Sequence, residues 1–166
     1  MKLEHLEIRR LSEEWEEKLG TFFEGLRAAG LESFFHPHPL TKETAKGLSR
    51  NPGRDEYYVA TLGGAVVGYA MLRGWNEGYE IPSAGIAIAP DYSGLGLGSS
   101  MVRFLGAVAR LRGARRIRCT VEKGNVASLR LFESLGYTFE KDSDKKLIGF
   151  LDLSGKPAME AAYKRG

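Results

Sequence analysis

The stretch DYSGLGLGSS, residues 91–100, has glycine at every second position from Gly94 to Gly98. It follows an apolar run at 84–89 and precedes MVRFLGAVARL, residues 101–111, whose apolar residues recur as in an amphipathic helix. The first N–H groups of a helix lack helical partners and attract anions. Glycine also lets a phosphate approach the backbone without meeting a Cβ. The pattern therefore predicts a diphosphate cradle between a strand and a helix.

Glycine-rich loops of this kind also occur in two nucleotide-binding motifs and in simple turns of the chain. The nucleotide-binding P-loop ends in Gly-Lys-Ser/Thr, whereas Gly98 is followed by Ser99 and Ser100, so that motif is absent. The dinucleotide fingerprint needs G-x-G-x-x-G inside a parallel unit, and here the spacing is G-x-G-x-G after hairpin-like strands. Glu122 could still be its ribose-binding acid. A loop that only turns the chain is the third interpretation.

A second motif follows in NVASLRLFESLGY, residues 125–137. Together the two stretches resemble the GNAT superfamily of acyl-CoA N-acyltransferases. The family pattern Q/R-x-x-G-x-G/A falls on residues 93–98, and the pattern N-x-x-A/S-x-x-L-Y-x-x-x-G-F/Y falls on residues 125–137. The element order from residue 3 to about 153 also follows that of the family. Two motifs at the right separation are more specific than either alone.

The resemblance implies an α/β fold of the GNAT type: a mixed, mostly antiparallel sheet flanked by helices. Its fourth and fifth strands, here 79–89 and 116–121, splay apart, and acetyl-CoA enters the gap with its pantetheine arm on the free edge and its diphosphate on the glycine loop. The implied cofactor-binding residues are Ile86, Ala87, Ile88, Ser93, Gly94, Leu95, Gly96, Leu97, Gly98, Ser99, Asn125, Ser128 and Phe132.

Acyl transfer to an amine needs a base, because a free alkylamine is protonated below about pH 10. The family base is commonly a glutamate on the fourth strand, which points to Glu80, with Glu77 second and a solvated carboxylate as the alternative. A free N–H at residues 86–88 would stabilise the developing oxyanion. Phe132 stands where the family often has a tyrosine that protonates the leaving thiolate, and phenylalanine has no proton to donate. Tyr137, Ser128 or water could act as the general acid instead.

The chain departs from the family pattern at two further positions. Ser93 replaces an Arg or Gln, and Leu95 stands where a basic residue is frequent. Part of the usual side-chain grip on the phosphates is therefore missing, while the backbone donors remain.

The elements that must position these residues follow from periodicity and turn signals. These signals predict, in order, a strand, two helices, a three-stranded meander with turns at Gly63-Gly64 and 76–78, a strand–helix–strand crossover, a second helix capped at Gly136 and a closing hairpin. The predicted segments are strands at 3–11, 57–62, 65–75, 79–89, 116–121, 137–141 and 146–153, and helices after Ser12, at 41–48, from Leu97 to Leu111 and from Asn125 to Leu135.

The composition of the chain limits the classes of protein to which it can belong. The chain has 166 residues, 43% hydrophobic and 27% charged, with a formal net charge of +3, which predicts one globular domain over residues 1–166. Cys119 is the only cysteine, which excludes an intrachain disulfide. We expect no membrane span and, with no signal-peptide pattern at the N-terminus, a cytoplasmic protein.

Two further groups of residues have alternative interpretations. The His-Pro-His-Pro run at 36–39 lacks acidic or cysteine ligands at matching spacing, so no metal site is expected. The resemblance makes Phe34, Phe35, His36 and His38 candidates for the acceptor pocket. Five arginines between Arg110 and Arg118 are basic enough for nucleic acid, but without a recognition helix or interleaved aromatics we expect none.

The resulting hypothesis is an N-acetyltransferase that moves an acetyl group from acetyl-CoA directly to a primary amine in a ternary complex. The acceptor is a small molecule or a peptide, and the family resemblance adds a homodimer. A non-catalytic acyl-CoA-binding module on the same fold is the alternative, which the substitutions at Phe132 and Ser93 favour.

Overall fold

The computed structural model describes residues 4–155, which form one sheet with helices on both faces. The strands are β1 Leu6–Arg10, β2 Glu56–Leu62, β3 Ala65–Arg73, β4 Ser83–Ile88, β5 Arg116–Glu122, β6 Thr138–Lys141 and β7 Lys146–Asp152. The helices are α1 Glu16–Ala28, α2 Lys42–Arg50, α3 Leu97–Leu111 and α4 Val126–Ser134. Short 3₁₀ turns lie at Glu13–Trp15, Leu31–Phe34 and Pro90–Tyr92.

The sheet has the order β1-β2-β3-β4-β5-β7-β6, and every neighbouring pair is antiparallel except β4 and β5. Strands β2 to β4 form the predicted three-stranded meander, and β1 pairs antiparallel with its outer strand β2. The β4–α3–β5 connection is the crossover that parallel neighbours require. The mixed, mostly antiparallel architecture predicted from sequence is therefore confirmed.

Each face of the sheet buries its own apolar cluster. Met101 and Leu105 of α3 are fully buried against Ile117 of β5 on one face. Leu19 and Phe23 of α1 are fully buried on the other face. Because residues alternate between the two faces, β4 and β5 each offer one set of side chains to the α3–α4 layer and another to the α1–α2 layer.

The parallel pair β4 and β5 is joined at one end only. Its single bridge pairs Ser83 with Arg118, and the Arg118 amide donates to the Pro82 carbonyl at 3.0 Å. β5 instead pairs with β7 along its whole length, from 116 to 122, and β4 pairs with β3 from 83 to 88. The two strands therefore diverge beyond Ser83, which confirms the predicted splay.

β4 begins four residues later than predicted. Gly74 has φ 114° and ends β3, and the Gly78 and Tyr79 amides then donate to the carbonyls of Trp75 and Gly74. Residues 74–82 consequently form a loop rather than strand ends, so the strand predicted at 79–89 is Ser83–Ile88.

Three smaller expectations are also corrected or lie outside the described residues. Ser12, a serine expected to cap the helix that follows it, makes no side-chain cap, and α1 begins after a 3₁₀ turn. Thr41 does cap α2, by accepting from the Thr44 amide at 3.1 Å. Leu111 is 88% exposed because α3 ends there, so it is not part of the packed stripe. Leu3, the predicted start of the first strand, lies outside the described residues.

Candidate active site

A cavity of about 400 Å³ opens where β4 and β5 diverge. Its walls come from the middle of the α1–α2 connection, the end of β3 and the loop after it, the first half of β4, the end of β5, α4 and the start of β7. Lining residues include Phe34, Phe35, His36, Pro37, Arg73, Glu77, Tyr79, Ser83, Ile86, Arg118, Thr120, Glu122, Asn125, Ser128, Phe132 and Lys146. The α1–α2 connection thus contributes to the pocket at Phe34, Phe35 and His36, as the sequence predicts.

The glycine loop presents a run of unpaired backbone donors. Gly94 and Gly96 have φ values of 74° and 87°, a left-handed conformation that favours glycine, and a Cβ at either would point into open space. Within residues 4–155 no group accepts a hydrogen bond from the amides of residues 94–99. The loop therefore fits an anion. The Ser93 amide is different, because it donates to the Pro90 carbonyl at 3.2 Å, so the free donors start one residue later than predicted.

Gly98 has a packing role. A Cβ at this position would lie 2.9 Å from Leu131 Cδ1 of α4 and 3.4 Å from Ile86 Cδ1 of β4. The third glycine thus lets the first turn of α3 approach both neighbours. It brings the free amides close to the mouth of the split rather than opening space for a phosphate.

The open edge of β4 carries the backbone groups of Ile86 and Ile88. The Ala89 amide donates to Val67 at 2.9 Å, and hydrogen-bonded and non-hydrogen-bonded pairs alternate along an antiparallel ladder. Ala87 therefore bonds to β3, while the peptide groups of Ile86 and Ile88 face the gap. Of the three residues predicted for the pantetheine edge, two have free backbone groups and Ala87 does not.

The second motif forms the far wall of the cavity. The Asn125 side chain caps α4, its Oδ1 accepting from the Ser128 amide at 3.3 Å, which leaves its Nδ2 group as a donor. Ser128 and Phe132 line the cavity. Tyr137 packs edge-on behind Phe132 with ring centroids 4.9 Å apart, and its buried hydroxyl has no partner among the described residues. Of the two residues predicted to substitute for a tyrosine at 132, Ser128 therefore lines the cavity and Tyr137 does not.

Glu80 does not lie in this cavity. It is exposed in the loop before β4 and borders a separate depression with Trp75 and Arg112. The prediction that Glu80 is the base assumed a fourth strand starting at residue 79, and the loop at 74–82 removes that assumption. Glu77, the second choice, does line the cavity.

Replacement of Glu80 by glutamine is accordingly expected to leave both kcat and the affinity for acetyl-CoA within about twofold of the parent, the range of a surface change. Steady-state kinetics with a reactive amine and acetyl-CoA measure this. A fall in kcat of tenfold or more would return Glu80 to the catalytic machinery.

Sequence reasoning missed a histidine–glutamate pair in the wall of the cavity. His36 Nε2 lies 2.6 Å from Glu122 Oε1, with the two side chains 47% and 28% exposed. A carboxylate only accepts, so Nε2–H donates in the neutral ring and Nδ1 keeps the lone pair. The sequence points to each residue separately, to His36 as a pocket wall and to Glu122 as a ribose ligand, but not to their contact. Their contact joins positions 86 apart in sequence.

His38 has a structural environment instead. Its Nε2 lies 2.8 Å from the buried Tyr69 hydroxyl, and its ring packs on Phe23 and Phe35. Burial lowers the pKa of His38 below its ordinary value. The two histidines of the His-Pro-His-Pro run thus have different partners, and no cluster of three or more candidate metal ligands occurs within residues 4–155.

The depressed pKa of His38 predicts a pH dependence of stability. Below about pH 6.5 the histidine of the unfolded chain is protonated, whereas burial favours the neutral ring in the folded protein. The stability that this site contributes is therefore fully present above about pH 6.5 and is lost as the pH falls through the lower pKa of the folded state. We expect His38→Gln to flatten the fall in unfolding free energy between pH 7 and pH 5, measured by urea denaturation. Parallel curves for the two proteins would contradict this origin.

Two other sequence features are accounted for by packing. Cys119 is 1% exposed, and burial raises the pKa of its thiol to about 12, which keeps it protonated and unreactive. The arginines have separate partners: Arg110 donates to the Leu153 carbonyl, Arg112 stacks on Trp75 at 3.8 Å, and Arg116 stacks on Phe150 at 4.2 Å. Within residues 4–155 no helix has the length and apolarity to cross a membrane.

Comparisons with known proteins agree with this architecture. The model of the acetyltransferase (GNAT) family matches residues 11–137, which is more than half of the chain. Mycothiol acetyltransferase of Thermobispora bispora is 30% identical over 115 residues, which are 63% of this chain and 39% of that relative. The chain therefore spans well under two thirds of that curated relative.

Solved structures show the same fold at low identity. The GNAT domain of S. lividans PAT has a TM-score of 0.75 at 21% identity, covering 87% of this chain and 89% of that chain. The yncA protein of Salmonella typhimurium, solved with its cofactor acetyl-CoA, has a TM-score of 0.69 at 22% identity, covering 91% of this chain and 95% of that chain.

Proposed function

Since the chain belongs to the acetyltransferase (GNAT) family, we propose that it transfers an acetyl group from acetyl-CoA directly to an amine bound in the cavity. The observation that carries this proposal is the unpaired amide run of residues 94–99 beside the open edge of β4. A backbone-donor cradle and a free strand edge, meeting at one split, fit a ligand with a diphosphate and an amide-containing arm.

The residues that would hold the cofactor follow from these free groups. The amides of 94–99 would bind the diphosphate, the peptide groups of Ile86 and Ile88 would pair with the arm, and Asn125 Nδ2 would donate to it from the other side. Bound acetyl-CoA supplies an acetyl group activated as a thioester. Side-chain charge is not required for this grip, which accounts for the tolerance of Ser93 and Leu95 in the loop.

His36 is the proposed base for the acceptor amine. An ammonium group has no lone pair, so a proton must leave before the amine can attack, and histidine is the side chain best suited to accept it near neutral pH. Glu122 holds the ring through Nε2 and would stabilise the imidazolium that forms. Glu122 also has Lys146 of β7 as its cross-strand partner. Glu77 is the alternative base in the same cavity.

The cavity also offers groups for later proton transfer. Phe132 has no proton to donate, while the hydroxyls of Ser128 and Thr120 line the cavity. A thiol with a pKa of about 8.5 leaves acceptably without strong acid assistance. The absence of a tyrosine at 132 is therefore compatible with turnover.

A thiol-release assay with acetyl-CoA and a mixed library of amines tests the proposal. We expect release that depends on both the amine and the protein, with an acetylated amine as the product. Tight acetyl-CoA binding without turnover on any amine would instead support the non-catalytic module. A homodimer and a cytoplasmic location stay predictions.

A further inference from the structure

Three polar side chains form a row across the sheet on the floor of the cavity. The ladder pairs Arg73 of β3 with Ser83 of β4, and the bridge pairs Ser83 with Arg118 of β5. Directly opposite residues on neighbouring strands project from the same face, so all three side chains share one face. The Arg73 guanidinium donates to the Pro37 carbonyl, which identifies this face as the one covered by the α1–α2 connection.

The two guanidinium groups lack carboxylate partners. Within residues 4–155, neither Arg73 nor Arg118 lies within ion-pair distance of an acid. Arg118 Nε is buried without a hydrogen-bond partner, and its guanidinium lies 5.8 Å from the centre of the Tyr79 ring. A buried donor left unpaired costs free energy, which an incoming acceptor would recover. Within residues 4–155 the hydroxyl of Ser83, which lies on the strand between the two arginines, also makes no side-chain hydrogen bond.

The charge balance of the cavity favours an anion at this row. The cavity contains two acids: Glu122 is hydrogen-bonded to His36 and lies opposite Lys146 on β7, and Glu77 is exposed in the loop after β3. Two strand spacings of about 4.8 Å separate Arg73 from Arg118, so the cations repel each other when nothing lies between them. An oxyanion bound over Ser83 would be within reach of both guanidinium groups.

We propose that the row Arg73–Ser83–Arg118 binds an oxyanion of the acceptor, so that the acetylated substrate is an amine that also carries a carboxylate or a phosphate. This inference rests on the proposed function and specifies its substrate class. The anion binds where β4 and β5 are still joined, and the amine extends along the split toward His36 and Glu122. Simple alkylamines and polyamines, which lack the anion, would be poor acceptors.

Matched substrate pairs test the substrate class. A series of ω-amino carboxylates from glycine upward is compared with the corresponding carboxamides, and O-phosphoethanolamine is compared with ethanolamine. We expect kcat/KM to be at least about tenfold higher for the anionic member of one series, since hydrogen bonds to charged groups are the strong ones. The two series distinguish a carboxylate from a phosphate. Equal kcat/KM within every pair would overturn the proposal while leaving acetyl transfer intact.

Substitutions test whether the preference for anionic amines arises from the row Arg73–Ser83–Arg118. Arg118→Gln is expected to lower kcat/KM at least about tenfold more for the anionic member than for the neutral member of a pair, while Arg118→Lys retains part of the preference. Arg116→Gln is the matched control, because Arg116 lies two residues away on the same strand but stacks on Phe150 outside this cavity. Equal losses on anionic and neutral amines in Arg118→Gln would contradict an anion-binding role.

A direct binding measurement tests the anion site independently of acetyl transfer. Calorimetry with the protein and the best anionic amine, without acetyl-CoA, should show affinity at least about tenfold weaker in Arg118→Gln than in the parent or Arg116→Gln. Circular dichroism verifies that each variant is folded. Unchanged affinity, or no binding to the parent at millimolar ligand, would overturn the anion site. Absence of thiol release with every amine would instead overturn the proposed acetyl transfer.

Discussion

Replacement of His36 by glutamine is expected to lower kcat about 100-fold, the lower end of what a positioned general base contributes. Glutamine keeps a hydrogen-bonding group near Glu122 but cannot accept the proton of an ammonium. The affinity for acetyl-CoA should stay within twofold, because His36 lies in the α1–α2 connection and not among the free amides. Glu122→Gln should also lower kcat, at least about tenfold, since it removes the carboxylate that orients the ring and would stabilise the imidazolium.

The controls for this prediction come from the same chain. His5→Gln changes an exposed histidine before β1 and should leave kcat unchanged. Glu77→Gln tests the alternative base in the cavity. A His36→Gln protein with nearly full kcat, together with a large loss in Glu77→Gln, would transfer the base role to Glu77.

Substitution of Gly96 by alanine is expected to weaken acetyl-CoA binding about tenfold, measured by calorimetry. Gly96 has φ 87° and caps α3, and the left-handed conformation costs a residue with a Cβ roughly 1–2 kcal/mol. Relief of that strain would rotate the peptide groups beside it, and so misdirect the amides of the cradle. The loss should appear in the dissociation constant more than in kcat.

Gly106 provides the matched control for this substitution. It lies inside α3, has helical φ, and an added Cβ would meet nothing within 4 Å. Gly106→Ala should therefore raise stability, by up to about 1 kcal/mol from helix propensity, without changing acetyl-CoA affinity. Equal affinity in Gly96→Ala and Gly106→Ala would mean that the loop conformation does not determine binding.

Local signals in the sequence predict the free amides of the glycine loop and the caps of the second motif. Alternating glycines before an amphipathic helix predict the free amides of the loop, and the structure adds that Gly94 and Gly96 are left-handed. The Asn125 cap and the left-handed Gly136, with φ 94°, were likewise predictable, because caps depend on residues within a few positions of each other.

The acceptor side depends on contacts that no local pattern encodes. The His36–Glu122 contact requires a particular path of the α1–α2 connection over β5. The row of Arg73, Ser83 and Arg118 depends on the register of two strand pairs, which a shift of one residue would move to the other face. Glu80 was misplaced because the length of the 74–82 loop is set by hydrogen bonds around Gly74 and Gly78.

The placement of the diphosphate is the central claim, and a crystal structure with coenzyme A tests it most directly. We expect phosphate oxygens about 3 Å from at least two of the amides of residues 94–99, with the arm paired to Ile86 or Ile88 across the split. Coenzyme A bound elsewhere, with those amides facing only solvent, would contradict the claim.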